Sequence, residues 1–153
     1  MLGYGQMACP YFDPVRVHPA PLGYAALPLP LGDRWIGSCR AGAGPAAEPD
    51  TALLDSVCNF GYARGRCPRF PAEDPGPDAV RFAITKVGTP SLELLYVVER
   101  EHYPFAHGSL SYSLAAGRLL QDKEGAPPPE MVARQAAAYV KSYLRRQAEG
   151  SGA

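Results

Sequence analysis

Proline and glycine limit where this chain can form regular structure. They supply 17 and 16 of its 153 residues, more than a fifth of the chain. The region from 10 to 50 contains Pro14, Pro19, Pro21, Pro28 and Pro30. Because proline lacks a backbone N–H and clashes with the preceding helical turn, this region cannot hold a long helix or an uninterrupted central strand. We therefore expect an irregular lobe over residues 1–70.

One short helix is expected within that lobe, between Asp50 and Gly61. Asp50 is a suitable N-cap, and Gly61 can take the left-handed conformation that often ends a helix. The buried face of this helix would consist of Leu53, Leu54, Val57 and Cys58. The pattern therefore places one cysteine in the last turn, pointing inward.

The sequence pattern changes after residues 71–78, where three prolines, one glycine and three acids predict a linker or surface loop. Beyond it, apolar and polar residues alternate around Val80–Ile84 and Ser109–Leu114 with the period of two that is typical of strands, and Leu92–Val98 is apolar on both faces, as expected of a central strand. The predicted strands are Val80–Ile84, Leu92–Val98, Ser109–Leu114 and a short Arg118–Gln121. Short connections between them favour an antiparallel meander.

A C-terminal helix is predicted from Glu130 to Gln147, directly after the prolines at 127–129. Its apolar stripe would consist of Val132, Ala136, Tyr139, Val140, Tyr143 and Leu144. The expected fold is α+β in a single domain over 1–153. A cysteine-bearing lobe at 1–70 would precede a three- or four-stranded antiparallel sheet, with the helix packed on it, at 79–148.

All four cysteines of the chain lie in the predicted lobe: Cys9, Cys39, Cys58 and Cys67. Intervals of 29, 18 and 8 residues separate them, so no CxxC pair exists. Structural zinc sites usually take two ligands from one short loop, with two to four residues between them. The spacing therefore argues against the common finger and ribbon types and predicts one site assembled from distant segments.

A [4Fe–4S] cluster fits these cysteines better than a single ion, because its four thiolates attach to separate corners of a larger cube. Two of the cysteines begin a Cys-Pro-X-Phe sequence, at 9–12 and 67–70, and a cysteine followed by proline is frequent in ferredoxin-type sites. Nearby cations would favour the anionic assembly, and nearby aromatic rings would shield it. The arginines are Arg40, Arg64, Arg66 and Arg69, and the aromatics are Tyr11, Phe12, Phe60, Tyr62 and Phe70.

The cluster reading predicts electron transfer, redox sensing or an accessory-subunit role, with a protein redox partner. If every iron carries a protein thiolate, none is open to bind a substrate, so direct catalysis is disfavoured and no catalytic residue is assigned. Four unrelated buried or reactive thiols are the interpretation without a shared site, and two alternative functions stay open. One is a zinc-stabilised interaction module, and the other is a cysteine-dependent enzyme using Cys67, whose arginine neighbours would lower the thiol pKa.

Titratable side chains also gather around one predicted inter-strand turn, where Glu99, Glu101, His102 and His107 lie close in sequence. A catalytic interpretation would make one histidine a general base oriented by a glutamate. A solvated turn explains the same residues without chemistry, and we favour it. His107 is an alternative ligand should one cysteine not bind.

Charge and hydropathy narrow the class of partner. Fifteen basic and fifteen acidic residues balance, so bulk electrostatics do not favour nucleic acid. No run of eighteen apolar residues exists, and the N-terminus lacks the basic and apolar regions of a secretory signal. We expect a cytoplasmic location, where thiols stay reduced and grouped cysteines more often bind metal than form disulfides.

Overall fold

The computed structural model describes residues 8–17, 31, 35–41, 47–59, 61, 64–71, 73, 76–120 and 128–151. In these residues the chain has a mixed α+β fold with two antiparallel sheets and one long C-terminal helix. This confirms the predicted fold class at that level. Four of the prolines that predict an irregular lobe, Pro19, Pro21, Pro28 and Pro30, lie outside the described residues.

The larger sheet is the antiparallel meander that the period-two pattern predicts. Its strands are β3 (Ala79–Val87), β4 (Ser91–Arg100), β5 (Tyr103–Ser113) and β6 (Arg118–Leu120), hydrogen-bonded in that order. On one face, Leu94 pairs with Leu110 and Leu92 pairs with Tyr112, and all four side chains are buried. The alternation of apolar residues therefore sets the register of this sheet.

The connection from β4 to β5 consists of two residues, Glu101 and His102, with φ angles of 52° and 68°. A two-residue hairpin loop with both φ positive matches the twist of the flanking strands. Glu101 and His102 are exposed, and so is His107 on β5. These three exposed residues agree with the solvated-turn interpretation, whereas Glu99 is buried and lies 3.6 Å from Arg81 Nε, so the interpretation is wrong for Glu99.

The C-terminal helix, α2 (Glu130–Ser151), covers the apolar face of the meander. Ala136 and Val140 are wholly buried against that face, and Tyr139 packs at its margin with its ring 5.7 Å from that of Phe82. The apolar stripe is confirmed, although the helix runs four residues beyond the predicted end. Within the described residues, no helix has both the length and the apolarity needed to cross a bilayer.

The smaller sheet corrects the expectation of an irregular first half. β1 (Phe12–Val17) pairs antiparallel with β2 (Trp35–Cys39), although β1 contains Pro14. The prediction was wrong because proline is excluded only from central strands, and a two-stranded ribbon leaves each strand one unpaired edge. The pairing register also shifts between Pro14 and Arg16, which is a usual accommodation of proline.

The predicted short helix is present as α1 (Thr51–Leu53), which continues as a π-helical turn over Leu54–Cys58. The N–H of Leu53 donates to Asp50 Oδ1 at 2.9 Å, so the N-cap is confirmed. Gly61 has a φ of 78° and donates its N–H to the carbonyl of Val57 at 2.7 Å, which ends the helical path as expected.

The close approach of β1 and β2 depends on Gly37, which lies opposite Pro14. A Cβ on residue 37 would overlap the carbonyl oxygen of Asp13. Because a backbone atom cannot swing aside as a side chain can, Gly37→Ala must push the two strands apart. We expect a loss of roughly 1–3 kcal/mol in the free energy of unfolding, measured by urea titration.

The matched control for Gly37→Ala is Ser38→Ala in the same strand, which adds no atom and should change stability by less than about 0.5 kcal/mol. Equal stabilities for the two variants would contradict the close packing of the ribbon.

Candidate four-cysteine site

The four cysteines line a single pocket that is partly open to solvent. Cys9, Cys39 and Cys58 are buried, whereas Cys67 is half-buried at the margin. The other lining residues are mostly apolar: Tyr11, Phe12, Ala41, Val57 and Phe70. Segments far apart in sequence therefore bring four sulfur atoms to one apolar-walled space.

Each cysteine reaches the cavity from a different element. Cys9 precedes β1, Cys39 ends β2, Cys58 ends the π-helical turn, and Cys67 lies in the following loop. Backbone hydrogen bonds join these segments. The N–H of Cys9 donates to the carbonyl of Cys58 at 3.1 Å, and the N–H of Arg40 donates to the carbonyl of Tyr11 at 2.9 Å. The sulfur positions are thus fixed by main-chain bonds as well as by packing.

The two Cys-Pro-X-Phe sequences form matching turns. In each, the phenylalanine N–H donates to the cysteine carbonyl three residues earlier, at 3.0 Å for Phe12 and 3.1 Å for Phe70. Proline at the second position of such a turn is favoured because its fixed φ suits that position. The rings of Tyr11 and Phe70 meet edge to face, with centroids 5.3 Å apart. The two turns therefore contact each other beside the cavity and help to keep water from it.

Burial raises the pKa of the Cys9 thiol well above its ordinary range, and the nearby charges that Cys39 and Cys67 would carry raise it further. Burial likewise raises the pKa of Cys58, with contributions from Cys9, Cys39 and Cys67. Without a bound cation these two thiols stay protonated at neutral pH. A metal centre that binds here must therefore displace protons, and its positive charge would relieve the repulsion among the thiolates.

Arg69 provides a direct contact between a cation and a cysteine sulfur. Its Nε donates to Cys39 Sγ at 3.5 Å, and its Nη2 donates to the carbonyl of Ala41 at 3.1 Å. The bond to the sulfur raises the pKa of the guanidinium. Arg69 is the third residue of the second Cys-Pro-X-Phe turn, so it links the loop of Cys67 to the end of β2.

Arg64 organises the same loop from its other side. Its Nε donates to Asp78 Oδ1 at 2.6 Å, its Nη1 to the carbonyl of Pro71 at 3.3 Å, and its guanidinium lies 4.7 Å from the ring centroid of Phe70. Asp78 is buried, so the end of the predicted surface linker at 71–78 is enclosed rather than solvated. The prediction of a surface loop was wrong at Asp78, because this acid pairs with Arg64, fourteen positions earlier in the chain.

Gln135 is a supporting residue that the sequence pattern does not reveal. It lies in α2 and is wholly buried, and its Nε2 donates to the carbonyls of Cys9 at 2.7 Å and Phe12 at 2.8 Å. The helix therefore holds the first Cys-Pro-X-Phe turn through both ends of that turn. The one sequence feature that pointed to Gln135 was its position as a polar residue next to Ala136, on the helix face predicted to be buried.

Two further polar residues fix the strands that carry the cysteines. The buried carboxylate of Asp13 pairs with Arg40 at 2.9 Å and with Arg134 of α2 at 3.3 Å. Asn59, which follows Cys58 and is buried, accepts from the N–H of Trp35 and donates to its carbonyl, both at 3.1 Å. These bonds join β1, β2, the π-helical turn and α2 around the cavity.

Among the described residues, no group of three or more histidine, cysteine, aspartate or glutamate side chains is placed to hold an ion. The four cysteines are free thiols. His107 is not among the residues that line the cavity, and the predicted shielding residues Phe60 and Tyr62 lie outside the described part of the chain.

Comparison of the chain with models of protein families, with curated proteins and with solved structures finds no match in any of the three. The functional argument therefore depends on the cavity itself.

Proposed function

We propose that this chain binds a [4Fe–4S] cluster through Cys9, Cys39, Cys58 and Cys67. The observation that carries the proposal is that four sulfurs from four separate segments line one cavity with otherwise mostly apolar walls. Thiolates are the protein ligands such clusters require, and the surrounding apolar shell limits contact with water. The spacing of the cysteines in sequence supports the same assignment.

The origin of the four cysteines in four separate segments around one pocket favours a cluster over zinc. Zinc holds each thiolate at about 2.3 Å, so four cysteine ligands must converge on a single point. Among the described residues no group of three or more such side chains is placed to hold one ion, whereas all four cysteines line one pocket. A cube with one thiolate at each corner suits ligands that surround a space, and the zinc-stabilised interaction module becomes the less favoured alternative.

Electron transfer, redox sensing or a role as an accessory redox subunit follows from the ligand set. A bound cluster would supply exchange of one electron with a partner protein. With four thiolates present, each iron has a protein ligand, so substrate activation at an open iron is disfavoured. Burial of Cys9, Cys39 and Cys58 restricts access to the site, and the half-buried Cys67 marks the margin closest to solvent.

A cysteine-dependent enzyme is likewise less favoured than a cluster-binding protein. A catalytic thiol needs a lowered pKa, whereas burial raises the pKa of both Cys9 and Cys58. Cys67 is the accessible candidate, and fast selective alkylation of Cys67 in the metal-free protein would support that alternative.

The decisive experiment is anaerobic purification followed by iron and acid-labile sulfide analysis and an electronic spectrum. We expect a brown protein with broad absorption near 400 nm and roughly four irons and four sulfides per chain. A colourless protein that carries one zinc would instead establish the zinc alternative. Iron-free and zinc-free protein after anaerobic purification and reconstitution would overturn both metal assignments.

A further inference from the structure

We propose that Arg69 sets the reduction potential of the cluster through its hydrogen bond to the sulfur of Cys39; this inference rests on the proposed function. The Nε···Sγ distance is 3.5 Å, and the same guanidinium donates to the carbonyl of Ala41. The second bond holds the group in place, with its Nε–H directed at the sulfur. Arg69 is therefore a positioning and tuning residue that does not itself exchange electrons.

The physical basis is the change of charge on reduction. Uptake of one electron from an external one-electron donor converts a dianionic cluster–thiolate assembly into a trianion, with no bond formed or broken in the protein. A cationic donor to a ligand sulfur stabilises the more negative state more strongly, which raises the reduction potential. Cys39 is buried, so the sulfur end of this bond lies at low local dielectric, while Arg69 is exposed and water screens part of its charge.

Comparison of the two Cys-Pro-X-Phe turns shows what distinguishes residue 69 from its counterpart in the first turn. The third residue of the first turn is Tyr11, which packs on Phe70. The third residue of the second turn is Arg69, which reaches across to the sulfur at the end of β2. One turn thus supplies an apolar shield, and the other supplies a cation. Arg66 lies in the same loop and is also exposed, which provides a charge-matched control.

The test is a redox titration of the anaerobically purified protein, followed by electron paramagnetic resonance, for the wild type, Arg69→Gln and Arg66→Gln. We expect Arg69→Gln to retain the iron and sulfide of the wild type while its midpoint moves negative. A shift on the order of tenfold in the oxidised-to-reduced ratio corresponds to roughly 59 mV for one electron. Arg66→Gln should produce a clearly smaller shift.

The outcomes separate this inference from the proposed function. An unchanged midpoint in Arg69→Gln, or an equal shift in Arg66→Gln, overturns the role of the hydrogen bond while the cluster assignment stands. A wild type without iron overturns the proposed function and the inference with it. If Arg69→Gln loses its cluster, Arg69→Lys gives the measurement, because lysine keeps the charge without the planar fork. We then expect the midpoint of Arg69→Lys to move negative by less than that expected for Arg69→Gln. An unchanged midpoint in Arg69→Lys would contradict the inference.

Discussion

Cys58→Ser is expected to abolish stable cluster binding. A serine hydroxyl is a hard, largely protonated ligand, whereas iron in such clusters is held by soft thiolates. Cys58 is buried at the end of the π-helical turn and lines the same pocket as the other three cysteines. The chain has only these four cysteines, so no spare thiol can replace it. Iron and sulfide content and absorption near 400 nm should fall several-fold in protein purified without oxygen.

The loss of the cluster should also lower the stability of the cysteine-bearing segments, because binding to a folded site contributes directly to folding. Circular dichroism and urea unfolding of the loaded wild type and of Cys58→Ser would measure that contribution. The meander and α2 have an apolar core of their own, built around Leu92, Leu94 and Val140. Signals from that core should therefore be affected less than those from Trp35, which lies in β2.

The matched control is Val57→Ala, one residue earlier and on the wall of the same cavity. It removes buried apolar atoms at a cost of roughly 1–3 kcal/mol and leaves all four thiols intact. We expect it to keep its iron. Normal iron content in Cys58→Ser would remove Cys58 from the ligand set, and equal loss in Val57→Ala would show that packing rather than ligation is being measured.

The sequence was sufficient for the meander and for α2 because both depend on local periodicity. Alternating apolar residues such as Leu92 and Leu94 decide which face of a strand is buried, and the helical spacing of Val132, Ala136 and Val140 does the same for α2. The N-cap at Asp50 and the glycine that ends that helix are local signals too. These elements need no knowledge of distant partners.

The β1–β2 ribbon could not be read in the same way, since its pairing joins segments some twenty residues apart. Pro14 argues against a strand unless the partner strand and the free edge are known. The candidate site shows the same division. The chemistry of thiols suggested that the four cysteines act together, but the bonds from Gln135 and Arg69 depend on tertiary placement. Nothing in the local sequence specifies either contact.

The second large effect is expected at Asp78, where a buried carboxylate accepts from two directions. Oδ1 accepts from Arg64 Nε at 2.6 Å, and Oδ2 accepts from the N–H of Glu101 at 2.9 Å. Asp78→Asn replaces one of these oxygens with an NH₂ group. That group is a donor and would face another donor, so one of the two hydrogen bonds is lost. Because breaking one partner of a buried ion pair leaves the other charge uncompensated, we expect a loss of about 3 kcal/mol at pH 7. Urea unfolding measures it.

The control for Asp78→Asn is Glu93→Gln. Glu93 pairs with Lys86 at 3.9 Å on the exposed side of the sheet, and both side chains are at least half exposed. Neutralising this pair should change stability by less than about 0.5 kcal/mol, since exposed ion pairs are screened by water and salt. A loss in Asp78→Asn no greater than that in Glu93→Gln would contradict the importance of the buried pair.

The effect at Asp78 should depend on pH in a defined direction. Burial alone would raise the pKa of Asp78, but the hydrogen bond from Glu101 and the bond and charge of Arg64 outweigh it and hold the pKa below the usual range. The unfolded chain has an aspartate pKa of about 3.9, so the stabilisation is present in full above that pH and is lost as the pH falls through the lower, folded value. The stability difference between wild type and Asp78→Asn should therefore be largest near neutrality and shrink in acid. A difference that stays constant down to pH 3 would show that the lost stability comes from packing around residue 78 and not from its charge.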